Sequence, residues 1–289
     1  GATSPLWLVE EVAIASAQLQ PVYFADVRAE GYWRARIETN RVSTIPYCFR
    51  KCEETGRIAN FARAGGLEPG PFASIGFDDS DVYKVIEGAA YSLAQHPDPE
   101  LDRYLDALIA KIAAAQEPDG YLYTMRRLVP PDRLPKMAGT ERWANLRDSH
   151  ELYNMGHLIE AGVGHWRATG KTNLLWVARR SADLIAALWL DRGFGWPSGH
   201  PEIELALLRL AAATGERRYL ETARRLMEIR GRAETHRLYG PYAQDHRPVL
   251  EQREAVGHAV RALYLYTAMA RYAATTTEPA WRETVRALW

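Results

Sequence analysis

The residues best suited to chemistry sit where long loops run into helices. Four such junctions read Phe77-Asp78-Asp79-Ser80-Asp81, Asp148-Ser149-His150-Glu151, Gly199-His200-Pro201-Glu202 and Gly257-His258. Neutral imidazoles and carboxylates hydrogen-bond hydroxyl groups, and aromatic faces stack on rings, so this mixture suits a polyhydroxylated, sugar-type ligand. Asp and Ser at a helix start are ordinary caps, and Asp81 is placed as the N-cap of a helix starting at Val82. Histidine is not a favoured cap. Its recurrence at His150, His200 and His258 therefore points to a shared binding site. A carboxylate-only alternative stays open. Inverting hydrolysis of a glycosidic bond needs an acid and a base roughly 6.5–9.5 Å apart. Asp79 or Asp81, Glu151 and Glu254 are the candidates.

Other chemistries find little support. His150-Glu151 lacks the second histidine of a zinc-protease helix, and His157 lies about 10 Å further along by helical rise, which suits a core or supporting role. His96, His165, His236 and His246 carry no usable pattern. No GxSxG elbow, P-loop, GxGxxG or Cys-rich zinc motif occurs, and Gly195-Trp196-Pro197-Ser198-Gly199 reads as a loop. The two cysteines, Cys48 and Cys52, lie one helical turn apart; they read as buried free thiols, and no metal or cofactor is expected on this chain. Lys+Arg and Asp+Glu balance at 36 each, and the basic residues scatter over solvent-facing helix positions, so a nucleic-acid groove is not expected. No run approaches the roughly 18–20 apolar residues of a membrane span. Gly1 to Gln20 shows no basic n-region or cleavage site, which, with the scarcity of cysteine, sets the expectation of a cytoplasmic protein. Nine Trp and fifteen Tyr exceed the needs of a plain helical scaffold and could serve either the core or a ligand.

The elements that must position these residues are helical. Val82–Gln95 carries apolar residues at Val82, Val85, Ile86, Ala89, Ala90 and Leu93, the spacing of one helix face. His96-Pro97-Asp98-Pro99 ends it and opens 100–116, which Pro118-Asp119-Gly120 stops. Further helices are predicted over 152–169, 174–190, 201–214, 218–229, 257–274 and 280–288, with two weaker ones before residue 62. Runs of alternating β-branched residues are missing, so strands are at most short. An internal repeat offset by 45 residues organises part of this series: Thr169-Gly170 recurs as Thr214-Gly215, Leu175 as Leu220, and Ala178-Arg179-Arg180 as Ala223-Arg224-Arg225. Each Thr-Gly closes one helix with a glycine at the left-handed position and opens the next. A weaker third copy runs through Ala273–Glu278. Two helices per repeat fit an open solenoid or a closed α/α barrel. Alternate connections, such as 116–148, 191–200 and 231–256, are long and rich in Gly, Pro, His and aromatics, which favours the ring with a cleft at one rim. The reading is one all-α domain, 1–289, an (α/α)6-type barrel of helical hairpins.

Five collinear segments carry a family resemblance: Asp79-Ser80-Asp81-Val82-Tyr83-Lys84; Gln116 to Leu122 (QEPDGYL); His150-Glu151-Leu152-Tyr153 with Gly156-His157-Leu158-Ile159-Glu160-Ala161; Gly199-His200-Pro201-Glu202-Ile203-Glu204-Leu205-Ala206; and Gly257-His258-Ala259-Val260-Arg261. In this order they resemble glycoside hydrolase family 127, the β-L-arabinofuranosidase family, from about Gly31 onward. Asn154 departs from the pattern, where many relatives have cysteine. The resemblance implies an (α/α)6 catalytic barrel and removal of a terminal L-arabinofuranose or related sugar from a glycan. It also implies that His150, His200 and His258 contact the sugar hydroxyls. In the family a glutamate is acid/base, and a zinc ion held by cysteines and a glutamate activates a cysteine nucleophile. Those motifs are expected after the helix ending near Trp289, outside this chain, and Cys48 and Cys52 do not match them. About ten helices are read where six hairpins need twelve. The expectation is therefore a sugar-binding barrel wall that is inactive by itself, takes a carbohydrate ligand, and self-associates through an open apolar side.

Overall fold

In a computed structural model, which describes residues 22–289, the chain is helical and has no β-strand among those residues. The described residues form two compact units, 22–184 and Ile185–Trp289.

The first unit contains α1 (Tyr32–Thr39), α2 (Ile45–Glu54), α3 (Arg57–Ala64), α4 (Asp79–Gln95), α5 (Pro99–Ala115), a short α6 (Thr124–Leu128), α7 (Glu151–Thr169) and most of α8 (Asn173–Ala186). Its centre is the pair α4 and α7. The face predicted for α4 is the buried one: Val82, Ile86, Ala89 and Ala90 are fully enclosed and Leu93 nearly so, while Val85 sits at the edge. Helix α7 is buried nearly all round from Glu151 to His165, with the polar Glu151, Asn154, His157, Glu160 and His165 enclosed among its apolar and small residues. Two of its glycines permit close approach: a Cβ on Gly162 would come within 2.7 Å of the Ala178 Cβ on α8.

The predicted start of α4 needs correction. Asp81 is not its N-cap; the helix already begins at Asp79, and Asp81 lies in its first turn, where its Oδ2 accepts from Arg57 Nε at 3.0 Å. Asp78 is at the cap position but makes no capping bond. Its carboxylate instead takes the Ser74 hydroxyl and a 2.9 Å ion pair from Arg57. Helix α5 starts as its sequence suggests, with Asp98 accepting from the Glu100 and Leu101 amides at 3.0 and 3.1 Å, and Pro99 following. Cys48 and Cys52 are unbridged on α2; Cys52 is buried as expected, whereas Cys48 is only partly so.

The second unit holds α9 (Ile203–Thr214), α10 (Arg217–Ile229), α11 (Ala259–Thr275) and α12 (Pro279–Leu288), preceded by a wide helical turn, Ala187–Asp191. Hairpin α9–α10 shows the repeat as repeated hydrogen bonds. Gly170 and Gly215 both adopt φ +74°, one after each Thr. Thr169 Oγ1 donates to His165 O at 2.7 Å and accepts from Lys171 N at 3.2 Å; Thr214 Oγ1 donates to Leu210 O at 2.8 Å and accepts from Glu216 N at 3.3 Å. The third copy is weaker for a visible reason: Thr276 stands where the glycine would be and stays extended, at φ −121°.

Candidate functional site

In the second unit, the loop before α9 and the cap of α11 bring two of the predicted histidines together. The rings of His200 and His258 lie 6.0 Å apart, with Tyr264 5.8 Å from His200 and Tyr242 5.3 Å from His258. The loop is pinned one carbonyl after another by side chains from elsewhere in the unit. Trp189 Nε1 donates to Trp196 O at 2.7 Å, Tyr239 OH to Pro197 O at 3.2 Å, Arg230 Nη2 to Ser198 O at 2.6 Å and Arg261 Nη1 to Gly199 O at 2.7 Å. His258 follows Gly257, whose φ of +76° favours glycine and where a Cβ would come within 2.1 Å of Pro241 O. His258 is itself the N-cap of α11, contrary to the expectation that histidine would not cap: its Nδ1 accepts from Arg261 N at 3.3 Å.

These backbone contacts fix complementary tautomers. A carbonyl only accepts, so His200 Nδ1, 3.0 Å from Pro201 O, carries a proton, and the lone pair of the neutral ring is on Nε2. An amide N–H only donates, so His258 Nδ1 holds the lone pair and the proton of its neutral ring is on Nε2. The two rings, 6.0 Å apart, thus differ in Nε2, an acceptor in one and a donor in the other, and a hydroxyl is both donor and acceptor.

In the first unit, His150 sits in the left-handed region at φ +58° directly before α7, with Nδ1 2.7 Å from Asp148 O. A non-glycine residue held there is uncommon and fixes where the ring emerges. Around it lie Phe77 at 5.2 Å and Tyr153 at 5.7 Å between ring centroids. Tyr153 accepts from Lys84 Nζ at 2.8 Å and meets the buried His157 edge-on at 4.6 Å. The geometry thus brings His200 and His258 together in one unit and places His150 in the other.

The candidate carboxylates differ sharply in surroundings. Glu151 is fully buried, and its oxygens accept from the Tyr121 and Ser149 hydroxyls (Ser149 at 2.8 Å) and from the Trp143 amide at 3.2 Å, with Arg126 Nε 3.7 Å away. Burial pushes its pKa up while those hydrogen bonds pull it back. Asp79, also buried, accepts from the Thr124 amide and hydroxyl at 2.9 and 2.5 Å, and burial takes its carboxyl up to about 6. Asp81 is partly exposed and paired with Arg57, and Glu254 lies exposed in the loop before α11.

Sequence reasoning missed the residues that hold these loops. Arg230 is completely buried just past α10; it also donates to Ala243 O at 2.7 Å and to Ser198 Oγ at 2.8 Å, and pairs with the buried Glu204 at 3.3 Å. His236, given no role from sequence, lies 2.9 Å from buried Asp245, which also accepts from the Gly231 and Tyr239 amides. The QEPDGYL segment is a lock on α8: Gln116 Nε2 donates to Val177 O and Ser181 Oγ at 2.8 and 3.0 Å, and Ser181 Oγ donates to Gly120 O at 2.7 Å. It sets Tyr121 against Glu151. Asn154 donates to Gly76 O at 3.0 Å and accepts from Ser80 N at 3.1 Å, a two-sided clasp of the first junction that a cysteine could not make. No charge pattern or period marks such contacts; an arginine just after a helix reads as solvent-facing.

The zinc implied by the resemblance does not fit the cysteines of this chain. Burial pushes the Cys52 thiol up to about 11, away from the thiolate a zinc ligand must be, and Cys48 is its sole companion in the sequence. No step is routed through a metal here.

Comparison with known proteins completes the picture. Residues 26–289 match the family model described as β-L-arabinofuranosidase, GH127 catalytic domain. A non-reducing end β-L-arabinofuranosidase from Bifidobacterium longum subsp. longum is 38% identical over an alignment covering 80% of this chain and 38% of the relative. A solved GH127 β-arabinofuranosidase superimposes with a TM-score of 0.85 at 43% identity, over 93% of this chain and 43% of that one. A GH127 β-L-arabinofuranosidase from Geobacillus stearothermophilus gives 0.82 at 38% identity, over 90% and 44%. The chain therefore spans under half the length of these relatives. By sequence and by fold, it belongs to glycoside hydrolase family 127.

Proposed function

We propose that this chain supplies sugar-binding surface to a glycosidase that acts on terminal L-arabinofuranose or a closely related sugar, with His200 and His258 meeting sugar hydroxyls in one unit and His150 a candidate sugar contact in the other. The observation that carries this reading is the opposed tautomers of His200 and His258, one accepting and one donating through Nε2, on rings whose centroids lie 6.0 Å apart, with Tyr264 beside the first and Tyr242 beside the second. Relatives named for β-L-arabinofuranosidase activity support the choice of sugar. Glu151 serves as a structural hub in this reading, because hydroxyl and amide donors already occupy both of its oxygens. Asp81 and Glu254 are left as surface carboxylates, so the carboxylate-only alternative has the weaker support. Among the described residues no helix is long and apolar enough to cross a membrane.

Titration calorimetry of the chain with methyl β-L-arabinofuranoside tests the reading. Binding should be detectable, and His200→Ala should weaken it roughly tenfold, the equivalent of about one good hydrogen bond. Hydrolysis of an aryl arabinofuranoside should not accompany binding. An absence of binding, or binding that His200→Ala and His258→Ala both leave intact, would remove it.

A further inference from the structure

The loop that delivers His200 also carries Trp196, four residues upstream, and Trp196 remains 39% exposed although its neighbours Pro197, Ser198 and Gly199 are buried. An indole is a costly side chain to leave in water, and this one is held there deliberately. Its own carbonyl is tied to Trp189 at 2.7 Å, and the three following carbonyls are tied to Tyr239, Arg230 and Arg261. One side of the ring is backed by Tyr239, nearly parallel at 30° and 6.2 Å, and by His236 at 5.6 Å. His236 is in turn fixed by Asp245. Gly195 lets the loop close down, since a Cβ there would come within 3.0 Å of Thr235 O. None of these contacts uses the polar edge of the indole to bind the core; they set the orientation of a flat aromatic face.

We propose, building on the sugar-binding reading above, that Trp196 is the stacking platform for a second sugar ring, the residue to which the terminal arabinofuranose is attached. Four residues of chain reach at most about 13–14 Å, so the platform is confined to the neighbourhood of His200. The C–H groups on one face of a sugar ring carry partial positive charge, and the indole face carries the complementary negative charge of its π-system. Such a surface accepts many ring hydroxyl patterns, because it reads shape and polarisation more than hydrogen-bond geometry. The His200–His258 pair would set the identity of the terminal sugar, and Trp196 would add affinity for a glycan over an isolated sugar.

Calorimetry of the full chain with two probes separates these roles: methyl β-L-arabinofuranoside, with one ring, and a β-linked arabinofuranose disaccharide. The disaccharide should bind roughly three- to tenfold more tightly. Trp196→Ala should abolish that advantage and leave the one-ring affinity within about twofold, while Trp196→Phe should keep most of it and serves as the check on folding. Equal affinity of the native chain for the two probes overturns the platform alone, as does a Trp196→Ala chain that keeps the advantage. If Trp196→Ala and Trp196→Phe lose one-ring binding equally, the residue is structural and the platform is again refuted. Failure of the native chain to bind either probe overturns the sugar-binding reading itself.

Discussion

Asp79→Asn is expected to gain stability relative to the native protein as pH rises from 4 to 7. The Asp79 carboxyl is buried on the first turn of α4, and its two hydrogen bonds come from one neutral residue, Thr124. Burial is the main cause of its rise from 3.8 to about 6, Asp78 adds to it, and the Thr124 bonds only partly oppose it. A group whose folded pKa is raised binds its proton more tightly in the native state. Its favourable contribution is complete below the unfolded value and is lost as pH climbs through the folded one. A shift from 3.8 to about 6 corresponds to roughly 3 kcal/mol lost across that window, of which about 2.4 kcal/mol falls between pH 4 and pH 7. The amide of Asn is isosteric, has no charge to desolvate, and can accept from the Thr124 amide while donating to its hydroxyl. Urea denaturation of both proteins at several pH values gives the difference in unfolding free energy. That difference should move in favour of the Asn variant by about 2 kcal/mol from pH 4 to pH 7, with its midpoint inside the window, whatever its absolute offset. A difference that is flat with pH, or that moves towards the native protein as pH rises, refutes the argument that Asp79 is held as a desolvated carboxyl.

Other expectations test the locks on the loops. Gly120→Ala places a Cβ 2.2 Å from the Arg180 carbonyl oxygen at a φ of +95°, so it should cost about 2–4 kcal/mol in chemical denaturation, because a backbone atom cannot step aside. Arg230→Met leaves Glu204 buried without its cation and two carbonyls without donors; a loss of about 3–5 kcal/mol is expected, with weaker sugar binding as the His200 loop loosens. The double variant Arg230→Met, Glu204→Leu should recover part of that stability, and its failure to do so would show that the carbonyls dominate the cost.

Much of the helical framework was legible because it rests on local chemistry. The α4 face follows from period alone, Asp98 and Pro99 open α5 as their types dictate, and the Thr-Gly pairs reproduce the same two threonine hydrogen bonds forty-five residues apart. What failed at the start of α4 is instructive. Asp78, Asp79 and Asp81 are each acceptable caps, so the sequence could not rank them; the choice was made by tertiary partners, Ser74 and Arg57 for Asp78 and Thr124 for Asp79. The short α6 was read as loop because its five residues carry no period, yet it supplies the Thr124 that satisfies Asp79 and the Arg126 that approaches Glu151.

The site itself was legible as residue types and illegible as roles. Histidine before a helix points to ligand binding because histidine caps poorly, yet His258 does cap α11. Capping consumes Nδ1 and, by consuming it, dictates that the proton of the neutral ring lies on Nε2. His200 reaches the opposite tautomer by donating to the carbonyl of the residue after it. Neither outcome can be inferred from spacing, since each depends on which backbone group faces the ring. The same holds for Arg230 and Arg261, whose guanidinium groups tie down the carbonyls of Ser198 and Gly199 and so aim His200 from thirty or more residues away in sequence. On the proposed sugar-binding reading, the specificity of the site would be set by backbone polar groups and the side chains that immobilise them. A substitution that leaves all three histidines in place but frees the His200 loop should impair sugar recognition as much as removal of a histidine.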